Sequence, residues 1–224
     1  MKSDASFRDR AEAGQALAAV LTAWREQADV LVLALPRGGV PVAYEIASAL
    51  AMRLDLMLVR KLGTPDHKEM AMGAIASGGV QVLNDDLIHG LNIPPAAIDA
   101  VVQEEVLELQ RRDLAYRGKR PVPAMAGQRV LLVDDGLATG ATMRAAIAAV
   151  RQQAPAHIIV AVPVAPAQTL TMLHPLVDQM VCLFTPAPFL SVGQWCRNFS
   201  QTTDQEVKTL LSKAWRRELR DAAQ

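Results

Sequence analysis

The sequence predicts an α/β fold, a mainly parallel sheet flanked by helices, and three observations carry that prediction. Apolar runs such as Val130–Val133 and Ile158–Val164 lack polar alternation, as expected of strands covered on both faces. Segments with helical spacing of apolar residues separate these runs. Hydrophobic residues make up 51% of the 224, enough to bury one sizeable core. Residues 1–224 are therefore expected to form a single domain, with a core over about 28–185. A small hood is expected from about 186–224 together with the N-terminal helix.

The elements follow in order. An amphipathic helix spans Arg10 to Trp24, with Ala13, Leu17, Val20, Leu21 and Trp24 on one face. Strand Val30–Leu35 ends at Pro36-Arg37-Gly38-Gly39, and a helix runs from about Pro41 to Leu50. A second strand, Leu54–Val59, ends at Arg60-Lys61, and the polar segment Gly63–Lys68 precedes short strands near Ala74–Ala76 and Val80–Leu83. A long helix covers Pro95–Arg117, with Ile98, Val101, Val102, Val106 and Leu109 inward. The Pro-containing link Gly118–Pro123 leads to the Val130 strand and a Thr142–Gln152 helix. Strand Ile158–Val164, a short helix Gln168–Leu173 and strand Val177–Phe184 come next, then an irregular stretch Pro186–Ser200. Thr203-Asp204-Gln205-Glu206 has capping-box spacing, and the helix it opens carries Val207, Leu210, Leu211, Ala214 and Trp215 on one face.

Charge and cysteine content narrow the function classes. Lys+Arg and Asp+Glu both number 23, which is not the footprint of a general nucleic-acid binder. The basic stretch Arg111–Arg120 reads as a solvated helix end. Cys182 and Cys196 have no metal-ligand spacing and no disulfide framework, which suits a reducing, cytoplasmic compartment. No apolar run reaches membrane-spanning length, so no membrane partner is expected. His89, His157 and His174 read as surface or satisfied groups.

Four segments carry chemistry. In residues 130–142, Asp134 and Asp135 stand together at the end of a buried strand, where two negative charges repel unless something binds. The loop Ala138-Thr139-Gly140-Ala141-Thr142 then opens a helix, whose first backbone N–H groups form a phosphate cradle. A plain strand with a capped helix, or a receiver-type acidic pocket, would share parts of this pattern. In the second segment, Arg37 suits phosphate oxygens, while Gly38 and Gly39 admit close backbone approach. The third, Arg60-Lys61 through His67-Lys68-Glu69, is a charged loop. In the fourth, the scarce aromatic residues gather as Phe184, Phe189, Trp195 and Phe199. They suit either a cluster against the C-terminal helix, taking Phe199 and Trp195, or a surface that stacks on a ring.

Residues 130–142 closely resemble the phosphoribosyl-diphosphate (PRPP) motif of type I phosphoribosyltransferases, and the likeness extends over about residues 30–185. The chain is most similar to bacterial members of unassigned base specificity, which share its Pro-Arg-Gly-Gly, Arg-Lys-Leu-Gly and aromatic stretches. The resemblance implies transfer of the phosphoribosyl group of PRPP to an acceptor base, with release of pyrophosphate and with Mg²⁺ on the diphosphate. It assigns the ribose hydroxyls to Asp134 and Asp135, directly or through Mg²⁺ and its waters, and the 5′-phosphate to Ala138–Thr142. Arg37, Gly38 and Gly39 would hold the pyrophosphate, and Lys61 and Arg60 would stabilise the leaving charge. His67 and Lys68 fall in a closing lid, and Phe189 or Trp195 in the base-stacking hood. Ala138 stands where hypoxanthine-guanine enzymes carry an Asp, so the acceptor stays untyped. A homodimer is implied as well. The alternative from another class is a regulator that keeps the PRPP pocket as a sensor.

Overall fold

The computed structural model describes residues 6–221 except Asp66 and Glu69. The main sheet has five strands, β1 (Val30–Ala34), β2 (Arg53–Leu56), β6 (Arg129–Val133), β7 (His157–Val164) and β8 (Gln179–Phe184). Its order is β2-β1-β6-β7-β8, and every neighbouring pair is parallel, as the unalternated apolar runs predict. A separate antiparallel sheet joins β3 (Val59–Gly63), β4 (Ala71–Ala76) and β5 (Val80–Leu83).

Alternate residues of β1 supply two cores. Val30, Val32 and Ala34 pack with α2 (Gly39–Ala49) and with Leu17 and Leu21, from and just beyond α1 (Arg10–Val20). Leu31 and Leu33 pack with Met143, Ala146 and Ile147 of α5 (Ala141–Arg151). The helix after β1 thus covers one face and the helix after β6 the other. Because the helices after neighbouring strands β1 and β6 lie on opposite faces, their carboxyl-end loops meet at the switch point where parallel sheets form a crevice.

Three expectations are corrected. The run Leu54–Val59 is two strands in different sheets: Met57 still donates to the Ala34 carbonyl (2.9 Å), whereas Leu58 donates to Ser77 Oγ (3.1 Å). Both sheets bury this stretch, so an uninterrupted apolar run reads the same on either side of the switch. The first helix stops at Val20, which is 56% exposed, and a 3₁₀ turn carries Thr22–Trp24. The basic stretch is not simply solvated. Arg117, the last residue of α4 (Pro95–Arg117), is buried and pairs with buried Asp55 of β2 at 2.6 Å.

A short helix α3 (Asp85–Gly90), capped by Asn84 Oδ1, had no counterpart in the sequence reading. Short α6 (Ala167–Leu173) follows β7. The C-terminal helix α7 (Asp204–Asp221) packs against α2, β2 and α4. Its capping box forms as spaced: Glu206 N–H donates to Thr203 Oγ1 at 3.1 Å, and Thr203 N–H to Glu206 Oε2 at 2.7 Å. No helix among the described residues is long and apolar enough to cross a membrane.

Candidate active site

The crevice brings the Pro36–Gly39 loop directly onto the acidic pair. A Cβ on Gly38 would lie 2.0 Å from Asp135 Oδ2, and one on Gly39 would lie 2.7 Å from the Val133 carbonyl and 2.9 Å from Asp134 Cα. Only glycine allows the two loops to approach so closely. Asp134 Oδ1 accepts the N–H of Asp135 at 2.8 Å. Burial first, and the neighbouring Asp135 charge second, push the Asp134 carboxyl well above its ordinary value. Asp135 is answered by Arg10, whose Nε donates to Asp135 Oδ2 at 2.7 Å, both side chains being mostly enclosed. The sequence offers no local sign of Arg10, which comes from 125 residues away.

The 138–142 loop is shaped from the opposite side by α6. Gly140 caps α5 with φ +72°, a left-handed conformation, and a Cβ there would meet Thr169 Cγ2 at 2.8 Å. Thr169 is itself buried and donates from Oγ1 to the Ala138 carbonyl at 2.7 Å. Ala138, Thr139 and Thr142 are exposed, which leaves the loop and the first turn of α5 open to a ligand. Ala141 N–H lies 3.4 Å from Thr139 Oγ1.

Arg37 is held at the mouth by Asp204, the first residue of α7, at 3.5 Å. Asp204 also accepts from Tyr116 Oη at 2.7 Å. Burial and that bond push the Tyr116 phenol up to about 12, while the same bond lowers Asp204. The sequence marks Asp204 only as part of a capping box and Tyr116 only as a member of the Pro95–Arg117 helix, with no sign that the two meet.

The remaining predicted residues lie further out. Arg60 pairs with Glu105 of α4 at 2.6 Å, whereas Lys61 is exposed. Lys61 and Ala141 both line a cavity of about 890 Å³ between the β3–β5 sheet and α5, along with Arg144, Arg151, Asp85 and Asp86. Asp134 and Asp135 are not part of its wall. His67 and Lys68 are exposed at the β3–β4 tip, where Thr64 Oγ1 donates to the His67 carbonyl at 3.0 Å. Glu69 lies outside the described residues.

The hood leans on the site through Val192, since a Cβ on Gly136 would meet Val192 Cγ1 at 2.5 Å. It is joined to the N-terminal segment: Phe7 N–H donates to the Trp195 carbonyl and Arg197 N–H to the Phe7 carbonyl, both at 2.9 Å. Phe199 lies beneath the Arg10 guanidinium, 3.9 Å from its ring centre, and against Gly193. That places Phe199 in the hood rather than against the C-terminal helix. Phe189 and Trp195 are half-buried there.

A phosphoribosyl transferase domain model matches residues 10–181, from the Arg10 helix through both loops to β8. The chain belongs to the phosphoribosyl transferase family. Two Mycobacterium tuberculosis proteins, from strains CDC 1551 and H37Rv, carry names that mark them provisionally as phosphoribosyl transferases. Each is 46% identical to this chain over 210 residues, 94% of the chain. The chain spans about half the length of these relatives, 47% of each. The crystal structure of TT1426 from Thermus thermophilus is 38% identical with a TM-score of 0.83. That match covers 93% of this chain and 98% of the other. The fold and the family membership expected from residues 130–142 both hold.

Proposed function

We propose that this chain transfers the 5-phosphoribosyl group of PRPP to a nucleobase-like acceptor and releases pyrophosphate. The observation that carries the reading is the close seating of Gly38 and Gly39 on Asp134 and Asp135, beside the open first turn of α5. Donors for phosphate oxygens and acceptors for ribose hydroxyls then converge on one crevice.

In this reading the 138–142 loop, exposed at Ala138, Thr139 and Thr142, takes the 5′-phosphate, with its backbone N–H groups at the positive end of α5. Asp134 and Asp135 take the ribose hydroxyls and fix the sugar. The bond from C1 to the pyrophosphate oxygen breaks first, and its electron pair leaves with pyrophosphate. The cation-like C1 then forms a bond to an acceptor nitrogen, whose proton passes to solvent. Arg37 and the Gly38–Gly39 amides stabilise the leaving charge, and the exposed Lys61 approaches it from the lid side. Arg60 contributes only by releasing Glu105. His67 and Lys68 at the hairpin tip close over the diphosphate and exclude water.

Among the described residues no group of three or more His, Cys, Asp or Glu side chains is gathered to hold a metal ion. The donor set of Asp134 and Asp135, with Asp135 already paired to Arg10, fits a Mg²⁺ brought in on the diphosphate and touched through water. Such an ion offsets the charge of the leaving pyrophosphate. A homodimer belongs to the same proposal.

Calorimetry with PRPP and Mg²⁺, followed by pyrophosphate release with purines, pyrimidines and nicotinate, tests the reading. It expects PRPP binding and turnover with at least one acceptor. Absence of PRPP binding refutes it, and binding without turnover favours the sensor alternative.

A further inference from the structure

Arg10 occupies the interval between the acidic pair and the hood. Its Nε donates to Asp135 Oδ2 and its Nη1 to the Ser200 carbonyl, each at 2.7 Å, with Phe199 stacked on its plane. The side chain is only 12% exposed. A guanidinium has five N–H donors, and these contacts use two. Nη2 has no partner among the described residues. That edge is open to solvent beside Asp135 and is free to meet a ligand atom. A second, independent observation agrees. The indole Nε1 of Trp195, in the same hood, is buried and has no partner among the described residues. Both orphan groups donate.

We propose that Arg10 selects the acceptor, and that the acceptor presents an exocyclic carbonyl or carboxylate oxygen to its guanidinium. The inference rests on the phosphoribosyl-transfer reading, because that reading places the acceptor between the ribose C1, held near Asp135, and the hood. Arg10 spans that gap from end to end. The backbone bonds of Phe7 to Trp195 and Arg197 hold the start of α1 against the hood, so the cation is delivered by the N-terminal segment and not by the hood sequence. An acceptor that offered only amino groups would set donors against donors. Sites built around a hydrogen-bonding substrate group reject analogues that lack it by about 10⁴-fold or more.

The test combines acceptor kinetics with donor binding in wild type, Arg10→Met and Arg10→Lys. Orotate, nicotinate and hypoxanthine are the oxygen-bearing probes, and adenine, whose one exocyclic group is an amino group, is the contrasting probe. The expected result is turnover with an oxygen-bearing acceptor and none with adenine. At saturating PRPP, Arg10→Met raises the KM of an oxygen-bearing acceptor about tenfold or more, the loss of a charge-assisted hydrogen bond, while the PRPP Kd also rises because Asp135 loses its partner. Arg10→Lys keeps the charge, restores part of the loss and melts like wild type, which separates recognition from folding. Preference for adenine, or an unchanged acceptor KM in both variants, overturns the proposal. So does a wild-type protein that binds PRPP but uses no oxygen-bearing acceptor. A wild-type protein that does not bind PRPP instead refutes the reading beneath it.

Discussion

Gly38 and Asp135 touch so closely that a single methyl group on Gly38 would stand 2.0 Å from the Asp135 carboxylate. Asp135 cannot swing aside freely, because Arg10 holds the same oxygen. Gly38→Ala is therefore expected to lower stability by about 1–3 kcal/mol, as overpacking does, and to weaken PRPP binding further by displacing the carboxylate. Denaturant unfolding and calorimetry on the same sample check both effects.

Asp134 gives the opposite stability result. Its raised pKa means that the folded state resists ionisation, so its contribution is greatest below the ordinary carboxylate range and is lost as pH rises through the folded value. Asp134→Asn keeps the shape without the charge, and is expected to melt higher than wild type at pH 7 while losing turnover. A lower melting temperature at pH 7 contradicts this account.

Thr169 reaches the 138–142 loop from behind, with a hydroxyl bonded to the Ala138 carbonyl. Thr169→Val leaves that carbonyl unanswered and is expected to cost about 1 kcal/mol of stability. The PRPP Kd should rise with it, since the loop loses its rear support. Thr169→Ser should retain most of the affinity.

Asp55 depends on Arg117 in a buried pair, and its Oδ2 is otherwise without a hydrogen-bond partner, with Arg120 Nε 3.6 Å away. Arg117→Met should cost about 3–5 kcal/mol, because it strands a buried charge. Combining it with Asp55→Leu should recover much of the loss, as read from urea midpoints.

Tyr116 makes alkaline stability a readout of the Arg37 region. Its phenol loses a proton near pH 10 when unfolded but near 12 when folded, so the unfolded state holds fewer protons in that window. Stability is therefore intact below pH 10 and falls as pH rises from 10 to 12. Tyr116→Phe should remove that part of the slope, seen as a difference between the two proteins' unfolding curves at pH 9 and 11.

What the sequence revealed depended on how local each signal was. Val130–Thr142 was legible because strand, acid pair and helix-opening loop are consecutive, and the alternation of apolar strands with helices was enough for the parallel sheet. The strand break at Met57–Leu58 was not legible, since both sheets demand the same apolar residues. Arg117 looked solvated because a charge run carries no mark of the one member that turns inward. Arg10 and Asp204 meet their partners across 125 and 167 residues, and no periodicity or spacing encodes such a meeting.

The strand-like bonds between Phe7 and the Trp195–Arg197 stretch have a practical consequence. The amino-terminal segment is bonded into the hood, so an affinity tag or fusion there loads the hood. The same tag placed after α7 hangs from a helix bedded on α2 and β2. Kinetics from the two formats are expected to diverge in acceptor handling.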